Sequence, residues 1–225
     1  MKNELLFVMH TLITILFCLG ALRLGKYALI AMLCLLGVLS NVFIAKQIML
    51  CGFAVTCSDV YAVGGILCLN LLQEFFGREI ITKTIWTSFF CLLVFLVMSQ
   101  LHLWYQPNGF DSAHEHYQAL FGFMPRIACA SIISYITVQL LDVRIFSLLQ
   151  RLFLGKFFTL RAVISLILSQ TLDTVLFSFL GLYCIVGSIS QVIIVSLIVK
   201  LMIIGLSTPL ISLTKKLIPR SPSGV

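Results

Sequence analysis

Three polar side chains interrupt an otherwise apolar stretch of the chain, GGILCLNLLQEFFGRE at residues 64–79. Asn70 and Glu74 are four residues apart, so in a helix they share one face, with Gln73 beside them. Polar groups within an apolar helix normally face the interior of a helix bundle or a wet cavity, where they mark the path of a ligand or an ion. The stretch therefore predicts one wall of a polar pocket.

Polar side chains also follow a helical spacing in later apolar stretches. They are Tyr135, Gln139 and Asp142 in the first, Ser169, Gln170 and Asp173 in the second, and Lys200 alone in the third. Spacings of three and four residues place each group on one side of its helix. A charged side chain at the centre of a membrane helix costs about 2.5–3.5 kcal/mol on insertion scales. Several such helices together predict one shared cavity.

A structural role is the alternative for each of these residues. Glu74 and Asp142 lie near the ends of their stretches, where a charge can simply face the membrane surface. Lys200 can form a salt bridge with Asp173 that holds two helices together. Asn and Gln side chains also join membrane helices through hydrogen bonds worth about 0.6–2 kcal/mol. A bundle without a ligand can pack through apolar side chains alone, so a polar ligand pocket is the favoured interpretation.

The composition indicates an integral membrane protein. Hydrophobic residues make up 60% of the 225 residues and charged residues only 10%, whereas a soluble domain has about 25% charged residues. Apolar stretches near the roughly 20 residues that a spanning helix needs recur along the whole chain. We predict an all-α, polytopic membrane helix bundle. Its spans are expected at residues 5–22, 27–45, 60–76, 85–104, 126–149, 162–184 and 190–212.

The basic residues predict the orientation of the bundle. They occupy alternate gaps between the spans and follow the last span as Lys215, Lys216 and Arg220. The positive-inside rule places these gaps and the C-terminus in the cytoplasm, and seven spans then place the N-terminus outside. The first span is interpreted as an added helix, with a signal sequence as the alternative. The net charge of +7 follows from these clusters and does not indicate nucleic-acid binding.

The motifs of most enzymes and metal proteins are missing from the sequence. The eight cysteines are scattered without a CxxC pair, so most are expected to be buried apolar residues, although a disulfide between Cys51 and Cys57 is conceivable. The His114–His116 stretch offers too few ligands for a metal, and solvent exposure explains it. Walker, nucleophile-elbow and HExxH motifs are also absent. We predict no metal, no cofactor and no enzymatic activity.

Five motifs resemble those of the queuosine precursor transporter family, also called the VUT family. They are LSNVFIAKQI at 39–48, LNLLQEFFGRE at 69–79, RIACASIISYITVQLLDVRIF at 126–146, SQTLDT at 169–174 and the spacing from Lys200 to Pro209. The resemblance runs from about residue 27 to 213. It implies a six-helix transporter core at 27–214, an extra N-terminal transmembrane helix at 1–26 and a cytoplasmic tail at 215–225.

The resemblance implies import of a 7-deazaguanine, namely preQ0, preQ1 or queuine, for modification of the wobble base of certain tRNAs. The predicted substrate-binding residues are Asn70, Gln73, Glu74, Tyr135, Gln139, Gln170, Asp173 and Lys200. A carboxylate can accept the paired N–H donors of a guanine-like edge, and an amide or Lys200 can meet its carbonyl group. A coupling proton or other ion would use Glu74, Asp142 or Asp173. Many relatives have Asp at the position of Asn70, so an ionic role is not carried over to it.

The implied setting is a bacterial cytoplasmic membrane, with a nucleobase as the small-molecule partner and lipid around the bundle. A homo-oligomer is left open. The chain has no nucleotide-binding motif and so cannot itself hydrolyse ATP, and autonomous transport is favoured. One alternative is a substrate-binding subunit of an energy-coupling-factor vitamin transporter, which needs an ATPase module. A membrane enzyme that uses Glu74, Asp173 and Lys200 for acid–base chemistry is another, and a structural subunit is the third.

Overall fold

The computed structural model describes residues 2–77, 79–152 and 158–202. The long apolar stretches form helices, because a helix satisfies its backbone hydrogen bonds without water. The helices are α1 Lys2–Leu24, α2 Lys26–Phe43, α3 Asp59–Phe76, α4 Glu79–Leu103, α5 His114–Phe121, α6 Met124–Leu152, α7 Phe158–Phe177 and, within the described residues, α8 Ile189–Met202. An antiparallel hairpin of β1 Gln47–Leu50 and β2 Phe53–Thr56 connects α2 to α3.

The predicted all-α membrane bundle is confirmed. The seven predicted spans correspond to α1–α4 and α6–α8. The helices α1–α4 and the stretch His114–Val138 are long and apolar enough to cross a membrane, and Ile167–Leu182 and Ile189–Met202 are shorter apolar helices. The short helix α5 was not predicted. It lies against the end of α4, where the Gln100 side-chain amide donates to the Phe121 carbonyl group over 2.8 Å.

The hairpin, which was also not predicted, marks one end of the bundle, called here the hairpin end. Its turn residues Cys51 and Gly52 have positive φ angles of 49° and 85°, as both central residues of a type I′ hairpin turn require. The Gln47 side chain donates from its Nε2 atom to the Ile185 carbonyl group over 3.2 Å, and its Oε1 atom accepts from the Gly187 N–H group over 3.0 Å. These bonds tie the hairpin to the segment between α7 and α8.

The cysteines are all free thiols. The disulfide considered between Cys51 and Cys57 is therefore not formed. Burial raises the pKa of the Cys57 thiol, although the nearby Lys46 acts in the opposite direction. Three of the eight cysteines are buried, namely Cys18, Cys34 and Cys68, so the prediction that most of them are buried is wrong.

The N-terminal helix α1 packs into the bundle through small side chains. The Cys18 and Cys68 Sγ atoms are 3.5 Å apart, and Cys18 Sγ lies 3.7 Å from the Gly64 carbonyl oxygen. A Cβ atom added to Gly64 would lie only 2.7 Å from the Thr14 Cγ2 atom. Small residues spaced by four are typical of membrane helices that approach closely. Helix α1 thus shares a hydrophobic core with α2 and α3.

Gly64→Ala is expected to destabilise the protein, because the added methyl group collides with Thr14 and Leu36. Overpacking of this kind costs about 1–3 kcal/mol, which corresponds to a fall in Tm of about 2–4 °C per kcal/mol for a chain of this size. Thermal unfolding in detergent measures the effect. Gly65→Ala is the matched control, because its new Cβ atom would lie at an ordinary 3.6 Å from Leu33. Equal Tm values for the two variants would contradict the close approach of α1 and α3.

Helix α7 continues into a π-helical turn, Ser178–Leu182. Arg126 Nε donates to the Leu180 carbonyl group in this turn over 3.0 Å, and so provides a partner for a carbonyl group in the last turn of the helix. Gly181 permits close packing on α6, because a Cβ atom there would lie 3.2 Å from the Ala130 Cβ atom. Short π-helical segments are frequent at functional sites. This one borders a cavity.

Candidate functional site

A cavity of about 160 Å³ lies near the hairpin end, between α2, α3, α7 and α8. Its volume is several times the about 30 Å³ that a water molecule occupies in the liquid. It is smaller than the sites of about 300–1,000 Å³ that hold drug-sized ligands. Its polar and aromatic lining residues are Ser40, Thr56, Ser58, Asp59, Thr174, Phe177, Ser178, Ser196 and Lys200. The cavity suits a small polar ligand.

Asp59 is the buried carboxylate of the cavity. It begins α3, where the helix dipole favours a negative charge, and only 7% of the residue is exposed. Its Oδ1 atom accepts a hydrogen bond from the Ser196 hydroxyl group over 2.7 Å. Its Oδ2 atom is buried and has no hydrogen-bond partner among the described residues. Because an unsatisfied buried oxygen is energetically costly, Oδ2 is an acceptor that a bound ligand can use.

Lys200 and Asp173 form a part-buried ion pair that joins α8 to α7. The Lys200 Nζ atom lies 3.0 Å from Asp173 Oδ2 and 3.0 Å from Thr174 Oγ1. The side chains of Lys200 and Asp173 are 14% and 32% exposed. Lys200 itself lines the cavity. Lys200 is therefore part of the cavity wall, and Asp173 is adjacent to the wall but is not among its described lining residues.

Apolar side chains complete the walls of the cavity. They include Phe177 of α7 and the buried side chains of Ile44, Leu182 and Val192. An aromatic side chain can stack on the face of a planar heterocycle, as it does on nucleobases. The arrangement therefore suits a flat ligand whose face lies on Phe177 and whose edges meet the polar groups.

The structure brings Asp173 and Lys200 together as a salt bridge, which is one of the alternatives considered from the sequence. Gln170 lies on the same helix, one turn before Thr174, whose hydroxyl group donates to the Gln170 carbonyl group over 2.8 Å. The side chain of Gln170 is partly buried and is not among the described residues that line the cavity. Two of the predicted residues on α7 and α8 thus form the ion pair, and the third is adjacent to it.

The predicted residues of α6 are placed differently. The Tyr135 ring packs edge-on against Phe89 of α4, with 4.9 Å between ring centroids. It is therefore part of the contact between α4 and α6. Gln139 and Asp142 are positions on α6, but their side chains lie outside the part of the structure that is described.

Asn70, Gln73 and Glu74 lie towards the opposite end of α3 from Asp59. The distance along the helix from Asp59 to Asn70 is about 16 Å at 1.5 Å per residue. Gln73 and Glu74 are exposed, and Asn70 is partly buried. The helix ends at Gly77, whose φ of 90° few other residues adopt and whose N–H group donates to the Gln73 carbonyl group. In the described structure these three side chains are not part of the cavity wall.

Asp59 is the candidate functional residue that the sequence reasoning missed. It is the only acidic residue between Glu4 and Glu74, and that isolation was a usable signal. At the start of a predicted span, however, an aspartate is equally typical of a helix N-terminus. Its partner Ser196 is on α8, and the spacing of residues within one helix cannot show a contact with another helix.

A second cavity, of about 380 Å³, lies at the opposite end of the bundle, beside the starts of α2 and α4. Its charged lining residues are Lys26, Glu79 and Lys83, of which Glu79 and Lys83 are exposed. Such charges are typical of a helix end at a membrane surface. The smaller cavity is the candidate site, because its carboxylate is buried and has an unsatisfied oxygen.

The family model described as "Putative vitamin uptake transporter" matches residues 56–214, from the end of β2 onwards. The chain belongs to this family. The resemblance found in the sequence is thus confirmed: this is an integral membrane transporter and not an enzyme. The match includes every residue of the cavity named above that lies on α3, α7 or α8.

A similar protein is the "Probable queuosine precursor transporter" of Bacillus subtilis (strain 168). It is 29% identical to this transporter over 216 residues, which cover 94% of this chain and 93% of the relative. No solved structure matches this transporter.

Proposed function

We propose that this transporter imports a 7-deazaguanine precursor of queuosine, namely preQ0, preQ1 or queuine, and that the cavity is its substrate site. The name of the relative from Bacillus subtilis supports the substrate class. The observation that carries the proposal is the presence of a buried carboxylate, Asp59, and a cation, Lys200, in one cavity beside Phe177. These groups complement an aromatic base that has both donor and acceptor edges.

The ion pair suits the guanine-like edge of such a ligand. This edge carries two adjacent N–H donors next to a carbonyl group. In the proposed complex the Asp173 carboxylate accepts from the N–H groups, and Lys200 donates to the carbonyl oxygen. The two side chains are already 3.0 Å apart, so their polar atoms are adjacent in the way that the edge requires. The ring face then lies against Phe177.

Transport requires the cavity to open to each side of the membrane in turn. At the hairpin end, β2 is held to α8 by the Gln191 side-chain oxygen, which accepts from the Ala54 N–H group over 2.7 Å. Release of this contact would open the cavity towards that end. Glu74, Asp142 and Asp173 remain the proposed groups for a coupling ion, and Glu74 would be reached from the opposite end of α3.

We also propose that the hairpin end faces the outside of a bacterial cytoplasmic membrane and that the C-terminus is cytoplasmic. Arg23, Lys26 and Lys83 lie at the opposite end, which the positive-inside rule places in the cytoplasm. The division into an extra helix at 1–26, a core at 27–214 and a tail at 215–225 stays a prediction. Residues 203–225 lie outside the described part of the chain.

A single-cysteine variant that retains Cys51 is expected to react with a membrane-impermeant maleimide in intact spheroplasts, because Cys51 is exposed in the hairpin turn. A variant that retains Cys57 should react more slowly, since burial raises the pKa of this thiol and maleimides react with the thiolate. Leu24→Cys in a cysteine-free chain is the control for the other side and should react only after permeabilisation. The reverse pattern would overturn the proposed orientation.

The queuosine content of tRNA tests the proposed function. Cells that neither make nor import the precursor would express this transporter and receive preQ0, preQ1 or queuine in turn at low concentration. We expect restored modification with at least one precursor. A lack of restoration by all three, with the protein present in the membrane, would contradict the proposal.

A substrate-binding subunit of an energy-coupling-factor transporter is the second candidate, and the family's description as vitamin uptake transporters favours it. It predicts that the chain binds the precursor but restores queuosine only when an ATPase module and a coupling membrane subunit are expressed with it. Restoration in a host that lacks such a module would exclude this candidate.

A further inference from the structure

The cavity and the ion pair beside it together carry one more negative charge than positive charges among their described residues. Asp59 and Lys200 line the cavity, and Asp173, which is adjacent to it, pairs with Lys200 over 3.0 Å. The hydrogen-bond partner of Asp59 is the hydroxyl group of Ser196, which is neutral. Lys46, a further cation near the hairpin end, is exposed to solvent, where its charge is screened. Lys200 thus contacts Asp173, and Asp59 has no cation in hydrogen-bond contact among the described residues.

A buried carboxylate without a cation in contact favours a ligand that supplies one. A charge-assisted hydrogen bond from an ammonium group to a carboxylate is roughly twice as strong as a neutral one. It would also satisfy Asp59 Oδ2, which is buried without a partner among the described residues. The precursors differ at this point: preQ1 and queuine carry an amine that is protonated at neutral pH, whereas preQ0 carries a neutral nitrile with no N–H donor.

We infer that Asp59 is the specificity-determining residue of this transporter, and that it selects precursors with an amine cation over neutral ones. This inference rests on the proposed function and assigns separate tasks to the two carboxylates. Asp173, with Lys200, binds the guanine-like edge that all three precursors share. Asp59 Oδ2 binds the ammonium group of preQ1 or queuine.

Ligand affinity of the purified full-length transporter in detergent tests this assignment. We expect wild-type protein to bind preQ1 at least about tenfold more tightly than preQ0, which is about 1.4 kcal/mol. Asp59→Asn should weaken preQ1 binding far more than preQ0 binding, so that the ratio of the two Kd values falls towards one. Glu115→Gln, which removes an exposed carboxylate at the same end of the bundle, should leave the ratio unchanged.

A ligand-side comparison keeps the test independent of how well Asp59→Asn folds. 7-Methyl-7-deazaguanine has the ring of preQ1 without the amine, and wild-type protein should bind it no more tightly than preQ0. Similar affinities of wild-type protein for preQ1 and both neutral ligands would overturn the inference while leaving the proposed function intact. Retention of the preQ1 preference in Asp59→Asn would do the same. If wild-type protein binds none of the precursors, the proposed function itself fails.

Discussion

Asp59→Asn is expected to lower the initial rate of preQ1 uptake by at least about tenfold, which corresponds to an increase of about 1.4 kcal/mol in the activation free energy of uptake. The substitution keeps the size of the side chain and an oxygen that can accept from Ser196. It removes the negative charge and replaces one acceptor atom by an N–H₂ donor. The lost step is thus ligand recognition rather than folding. Uptake of labelled preQ1 into cells, normalised to the amount of protein in the membrane, measures the effect.

Glu74→Gln is the informative comparison for that result. Glu74 was predicted from the sequence as a wall of the pocket, but in the structure it is exposed at the other end of α3. If the cavity is the substrate site, loss of Asp59 should reduce uptake more than loss of Glu74. An equal or greater loss in Glu74→Gln would mean that the critical substrate contacts lie at the end of α3 opposite to the cavity.

Lys200→Met is expected to destabilise the protein by about 1–3 kcal/mol, because it leaves the part-buried Asp173 carboxylate without its cation. Chemical unfolding in detergent and abundance in the membrane measure the effect. The double variant Lys200→Met, Asp173→Asn removes both charges and should recover most of the stability. It should not recover uptake, because the guanine-like edge then meets neither the carboxylate nor the cation.

Lys46→Met is the control for the loss of a lysine near the hairpin end. Lys46 is exposed, and surface substitutions usually change the free energy of unfolding by no more than about 0.5 kcal/mol. If the double variant at positions 173 and 200 regains both stability and uptake, the ion pair is only a structural contact between α7 and α8. The proposed recognition of the guanine-like edge would then be wrong.

The helices could be predicted because each depends on a local property of the sequence. A continuous apolar stretch of about 20 residues satisfies its backbone hydrogen bonds within a membrane as a helix, so the spans followed from hydrophobic length. The hairpin was missed because it depends on φ angles at Cys51 and Gly52 and on contacts with the segment between α7 and α8. Those contacts join residues far apart in the chain.

The site could be predicted only in part, for the same reason. Asp173 and Lys200 were conspicuous because a charge in the middle of an apolar helix requires an explanation, and the structure pairs them. Asp59 was not conspicuous, because it lies at the start of α3 and its contact with Ser196 of α8 joins residues far apart in the chain. The helical spacing correctly placed Asn70 and Glu74 near one another but could not show which end of the bundle holds the cavity.

Counterflow exchange in proteoliposomes is the most direct test of the central claim that this chain carries a queuosine precursor across a membrane through the cavity. Liposomes that contain only the purified protein would be loaded with unlabelled preQ1 and diluted into labelled preQ1. We expect transient accumulation of label with wild-type protein and a strongly reduced signal with Asp59→Asn, because exchange requires no external energy source. Exchange no faster than in protein-free liposomes, from protein that is folded and binds preQ1, would contradict the account.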